Sequence, residues 1–281
     1  LHTRYIRTGQ MTDLEEAIHV WRKAIECTPS DSPDLPNHLC NLGNGLNTRY
    51  ARMGQIVDLE EAIHLYRMAV KNSPFGSPNL PMHLSNLGAS LRARYTRTRQ
   101  MTDIEEAIQV SQLAVRYASP NSPGFPGYLT NLGTALRDRY IRTRKLADLE
   151  EVISIYQQAV DLFPLDSPDR PGYLINLGAG LRDRYIHSNS NKIQKERDAV
   201  AGTAVYEQAC QLGWEKQPGV IVTAARNWGR WALTRNAWNE AARAFQYGLV
   251  ALEQLYQIQL LQQEQQSWQR EGQGLYSQAA Y

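Results

Sequence analysis

The chain has 281 residues, 30 of them basic and 28 acidic, for a net charge of +2. That length exceeds an ordinary single-core domain and points to two domains or one elongated array. So neutral a balance argues against a protein that grips a long run of phosphates, and nucleic acid is not an expected partner.

No stretch approaches the roughly 20 apolar residues that a bilayer requires, so no membrane partner is expected either. Cys27, Cys40 and Cys210 form neither a C-x-x-C pair nor a dense framework, which fits a reducing cytoplasm better than secretion. Leu1 opens no signal segment and lies inside a repeat, so the chain is expected to be part of a longer protein.

The first complete element is a helix in which Leu14, Ala17, Ile18, Trp21, Ala24 and Ile25 share one stripe, with Asp13 as its cap. Pro29 and Pro33 close it. Pro36 then suits the first turn of a second helix, whose Leu39, Leu42, Gly43, Leu46 and Tyr50 fall at i, i+3, i+4, i+7 and i+11. The pattern returns with a spacing of 45: Asp13-Leu14-Glu15-Glu16-Ala17-Ile18 is echoed from Asp58, Asp103 and Asp148, and Asn41-Leu42-Gly43 from Asn86, Asn131 and Asn176. A fixed period in this range marks a solenoid of helical hairpins.

Residues 1–187 thus read as four such repeats, the first helix being truncated at the start of the chain. The stretch 188–197 is polar and lacks an apolar period, so it reads as a loop. Residues 198–281 read as a degenerate repeat around Tyr206, a hairpin of ordinary length and C-terminal helices.

Leu42-Gly43-x-x-Leu46, then Ala62-x-x-x-Tyr66-x-x-Ala69, then Pro74 resembles the tetratricopeptide (TPR) repeat. Gly43 to Ala62 is 19 residues where that family has about 12, whereas Gly229 to Ala241 restores the ordinary step. Seven extra residues therefore fall at the hairpin, between Arg49 and Val57, and lengthen the first helix by about two turns. The resemblance implies an all-α, right-handed superhelical solenoid of about six hairpins. Repeats of this long form, with their D-S-P-D connectors and the terminal run Ala224 to Trp231, look like those that precede CHAT domains, which are caspase-like cysteine protease modules.

No chemistry of its own is legible. His19 and His64, and His38 and His83, are repeat positions, and Cys40 is replaced by Ser85, Thr130 and Ile175 in later copies. Neither metal-ligand spacing nor a phosphate-cradling loop occurs, so no catalytic residue, metal or cofactor is expected. The single glycines inside helices read as points of close helix crossing.

By the resemblance, the first helix of each pair lines a binding groove. The groove candidates are one ladder of Asn41, Asn86, Asn131 and Asn176, and another of Asn47, Arg92, Arg137 and Arg182. Such amides and guanidinium groups would hold the backbone or acidic side chains of a protein or peptide partner. The competing reading has the Asn ladder bonding neighbouring repeats while Arg94, Arg139 and Arg184 pair with the acidic starts of adjoining helices. The function expected is a protein-binding scaffold or sensor that regulates a CHAT-type protease attached at the C-terminus or separate. The alternative is a stand-alone adaptor in a multiprotein or ribonucleoprotein complex.

Overall fold

A computed structural model describes residues 5, 9–74, 76–188, 191–214 and 217–279, with side chains described through Gln259. Every regular element among them is an α-helix: α1 (Met11–Glu26), α2 (Leu35–Met53), α3 (Ile56–Asn72), α4 (Leu80–Thr98), α5 (Met101–Tyr117), α6 (Phe125–Thr143), α7 (Leu146–Asp161), α8 (Arg170–His187), α9 (Lys192–Gly213), α10 (Pro218–Thr234) and α11 (Trp238–Ala279). The fold is an all-α solenoid. α1 is followed by five hairpins, α2/α3 to α10/α11. The helix expected before α1 falls in residues 1–8, of which only Tyr5 is described. The backbone forms two compact units, Leu1–Ala159 and Val160–Tyr281.

Each first helix begins where its proline dictates: Pro36, Pro81, Pro126 and Pro171 occupy the first turns of α2, α4, α6 and α8, where a missing N–H costs nothing. The second helices start differently from the expectation. Gln10, Gln55 and Gln100, not the aspartates, hold the cap positions of α1, α3 and α5, and none makes a side-chain cap bond. Asp58 and Asp103 sit within the first turn and are buried. The reason is a stronger claimant on their carboxylates.

That claimant is an arginine six residues after the hairpin glycine. Arg49 grips Asp58 through Nε at 2.9 Å and Nη2 at 2.7 Å. Arg94 holds Asp103 at 3.1 and 2.6 Å, and Arg139 holds Asp148 at 2.9 and 2.8 Å. In the second unit Arg184 holds Asp198 at 3.1 and 2.7 Å, and Arg235 pairs with Glu240. A buried carboxylate is tolerable only with such a partner, and the planar fork supplies two charge-assisted bonds at once. The Asp58 bonds hold the Arg49 pKa above its ordinary value. Arg49 also reaches back to Glu15, and Arg139 to Glu105, each at 2.8 Å, which ties one repeat to the one before.

The clamp corrects the reading of 188–197 as a loop. α9 starts at Lys192, capped by Asn191 Oδ1, which accepts from the Gln194 N–H. Its first turns are polar because they are exposed. From Asp198 onward the buried side is Asp198, Gly202, Tyr206 and Ala209, the same steps as Asp148, Val152, Tyr156 and Ala159. The repeat read as degenerate thus keeps its clamp and its aromatic residue, with extra helix placed before them.

The long hairpins extend both of their helices. From Gly43 the first helix runs ten residues to Met53, against five from Gly229 to Thr234. The second helix enters six residues before Ala62 at Ile56, against three before Ala241 at Trp238. The expected two-turn growth of the first helix alone is therefore shared between the helices.

Below the clamp the helices cross at the glycines. A methyl group on Gly133 would lie 2.6 Å from Cε1 of Tyr156, and one on Gly43 2.8 Å from Tyr66. Gly178 and Gly229 stand likewise against Tyr206 at 2.7 Å and Phe245 at 2.5 Å. Gly133→Ala is expected to cost about 1–3 kcal/mol of stability through overpacking. Gly127→Ala, in the same helix but with nothing within 4 Å, should be neutral or stabilising by up to about 1 kcal/mol. Denaturant unfolding of the two variants side by side checks the contrast.

One buried titratable group adds a pH dependence. Ser73 Oγ donates to the Ala69 carbonyl, so the hydrogen bond between it and His83 Nδ1, 2.9 Å away, comes from the imidazole N–H. His83 Nε2 is buried without a partner. A proton added there would have no acceptor, and burial holds the pKa below its ordinary 6.5. The unfolded chain then binds more protons below pH 6.5, so stability present above that pH is lost as pH falls towards the folded-state pKa. The melting temperature should drop on acidification through that window, and His83→Gln should remove this part of the slope.

Candidate partner-binding face

On α2 the residues Asn37, Asn41, Asn44 and Thr48 lie at i, i+4, i+7 and i+11, a single polar stripe opposite the buried Leu39, Leu42 and Leu46. Its neighbours in the first unit continue it through Asn86 on α4 and Asn131 and Thr134 on α6. The stripe is stitched together by amides. Asn79 Nδ2 donates to Asn37 Oδ1 at 3.0 Å, Asn86 Nδ2 to Asn44 Oδ1 at 3.1 Å and Cys40 Sγ at 3.3 Å, and Asn131 Nδ2 to Ser85 Oγ at 2.8 Å.

The second helices feed the same row from behind. Tyr66 donates its hydroxyl proton to Asn44 Oδ1 at 2.8 Å, and Tyr156 to Thr134 Oγ1 at 3.2 Å. Burial pushes both phenols up from their usual pKa, so they remain donors at any physiological pH.

Asn41 is exposed on α2, and Asn47 is half-buried on the flank of the stripe. Asn86 and Asn131 spend their NH2 groups on the preceding repeat, while neither Oδ1 accepts a bond among the described residues. Asn176 is half-buried on α8 in the second unit. The arginines are less available than a bare ladder suggests. Arg92 pairs with Asp138 at 3.1 Å and Arg182 with Asp183 at 2.8 Å, while Arg137 acts electrostatically on Tyr156. The groups that complete the row, Asn37, Asn44 and Thr134, lie outside the 45-residue ladders considered in the sequence. Helical spacing from Asn41 and the reach of Tyr66 were the signals for them.

The buried thiols, Cys40 and Cys210, are poorly placed for nucleophilic work. Burial pushes the Cys40 thiol up from its ordinary pKa, and that of Cys210 up to about 12. The aromatics near the C-terminus divide: Trp228 and Trp231 are core, Trp238 is exposed, and Trp214 and Tyr247 wall a cavity of about 550 Å³ with Asp166 and Gln217.

Residues 127–169, which span α6, α7 and the connector after them, match the family model of the tetratricopeptide repeat. That segment is a tetratricopeptide repeat by this match. Solved structures agree on the fold. A Podosopora anserina protein with nearly identical TPR-like repeats superposes with a TM-score of 0.56 at 13% identity, covering 80% of this chain and 98% of that one. BtubC from P. vanneervenii gives 0.53 at 14%, with 88% and 91% covered. YrrB, a TPR protein with an unusual peptide-binding site, gives 0.50 at 15%, with 84% and 93% covered. No curated protein matches the sequence.

Proposed function

We propose that the polar first-helix face holds an extended segment of a partner protein. The tetratricopeptide fold is a scaffold for protein–protein contacts, and the observation that carries this reading is the amide row of Asn41, Asn86 and Asn131. Two of its members have one half of the amide fixed to the scaffold and the carbonyl half unengaged. Such a group is pre-organised, so it can accept a backbone N–H from the partner at little entropic cost. Asn47 would extend the contact in the first unit, and Asn176 would offer a contact of the same kind on the second unit's own first helix. Arg92, and on the second unit Arg182, would take acidic side chains by exchanging with the carboxylates that they now meet, and Arg137 would take one beside Arg92. YrrB, with its peptide-binding site, supports a peptide ligand for a fold of this kind.

We further infer that the scaffold is the regulatory repeat region of a CHAT-type, caspase-like protease. The 45-residue repeat form and the run Ala224 to Trp231 support that assignment. A full open reading frame bearing a His- and Cys-containing domain would bear it out, and its absence would leave the scaffold without a protease.

The groove is tested with peptides selected from a displayed random library on the immobilised chain. The combined Asn86→Ala and Asn131→Ala variant should bind them about tenfold or more weakly with unchanged helicity. Affinity equal to that of the parent would remove the groove assignment.

A further inference from the structure

The tips of the three long hairpins in the first unit carry a second feature, unrelated to the amide face. Residues 51–57, 96–102 and 141–147 contain no acidic side chain and six basic ones: Arg52, Arg97, Arg99, Arg142, Arg144 and Lys145. The whole chain has a net charge of only +2, so positive charge is concentrated here. The nearest aspartates, Asp58, Asp103 and Asp148, are buried and committed to the clamps. Arg52, Arg97, Arg99, Arg142 and Lys145 form no ion pair among the described residues. Arg97 donates to the Gly54 carbonyl at 2.8 Å and keeps its charge uncompensated.

Two of these arginines are held at a conformational cost. The position that ends α2, α4 and α6 is left-handed; Gly54 (φ 70°) occupies it on α2, and Gly9, 45 residues earlier, is left-handed too (φ 67°). Arg99 (φ 59°) and Arg144 (φ 60°) occupy it on α4 and α6. An arginine in this region is disfavoured where glycine is free to go, and strain of this kind persists where something else offsets it. Each guanidinium lies over the tyrosine of its own helix, Tyr95 at 5.8 Å and Tyr140 at 6.0 Å.

Large apolar side chains stand out among the charges. Met53 is 55% exposed, Val57 68%, Ile141 44% and Leu146 57%. They lie on the first and third of these tips. The forks of Arg52, Arg97, Arg99 and Arg142, which form no ion pair among the described residues, beside exposed aliphatic side chains on hairpin turns match an interface that is anionic at its surface and apolar beneath. We propose that the hairpin tips of the first unit dock onto a membrane surface bearing anionic lipid headgroups, with the arginines on the headgroups and Met53, Val57, Ile141 and Leu146 in the acyl boundary. No described helix is long and apolar enough to cross a bilayer, so this contact is peripheral. It leaves the amide face open to a partner.

The test is co-flotation of the full chain with vesicles of phosphatidylcholine alone, or of phosphatidylcholine with about one-third phosphatidylserine to supply the negative surface potential. Binding is expected only to the anionic vesicles and should fall as salt rises. Arg99→Gly with Arg144→Gly restores the residue that the backbone prefers, so the variant folds at least as well. It should bind about 30-fold more weakly. Leu146→Ser should weaken binding without changing its salt dependence. Failure of the parent chain to float with anionic vesicles overturns the proposal, as does equal binding by the double glycine variant. Binding to polyglutamate in place of vesicles would assign the edge to an acidic protein and also overturn it.

Discussion

Each hairpin turns on one ion pair, whose acid is buried in the first four. An arginine placed six residues after the crossing glycine reaches over the tip and seizes an acid near the start of the next helix. The pair recurs in all five hairpins, as Arg49–Asp58, Arg94–Asp103, Arg139–Asp148, Arg184–Asp198 and Arg235–Glu240. Burying a carboxylate is costly, so the pair tolerates little slippage. A shift of one residue in either helix would leave a charge unpaired in the core. The contact of Gly133 with Tyr156, and of its counterparts, follows from that register.

The clamp also explains how loops of different length serve one architecture. The paired residues are 9 apart in the long hairpins, 14 apart at Arg184–Asp198 and 5 apart at Arg235–Glu240. The tip between them is free to vary because nothing in the core depends on it. That freedom is where the first unit places its basic and apolar side chains. The second helices, occupied with core and clamp, leave the first-helix stripe as the surface on which amides can face a partner.

Much of this was legible in the sequence. The 45-residue period, the prolines at the first-helix starts and the glycine crossings all follow from spacing, and the pairing of Arg94, Arg139 and Arg184 with adjoining helices was one of the two readings open. Other features were not legible. Asp58 and Asp103 have the appearance of helix caps because a cap and a first-turn clamp draw on the same residue type at nearly the same place. Residues 192–197 resemble a loop because an exposed helical turn needs no apolar period. The αL conformation of Arg99 and Arg144 was hidden because only comparison with Gly9 and Gly54 in three dimensions reveals it. In the candidate site, Asn86 and Asn131 were visible as a ladder, but their half-engaged state depends on Cys40, Asn44 and Ser85 in the preceding helix.

The clamp is tested most directly by a double-mutant cycle on Arg139 and Asp148, replacing each by alanine singly and together and measuring the free energy of unfolding. The account predicts that either single change is severely destabilising and that the two are coupled by about 2–3 kcal/mol, the double variant losing far less than the sum. Additive losses, with coupling near zero, would show the pair to be incidental and contradict the account.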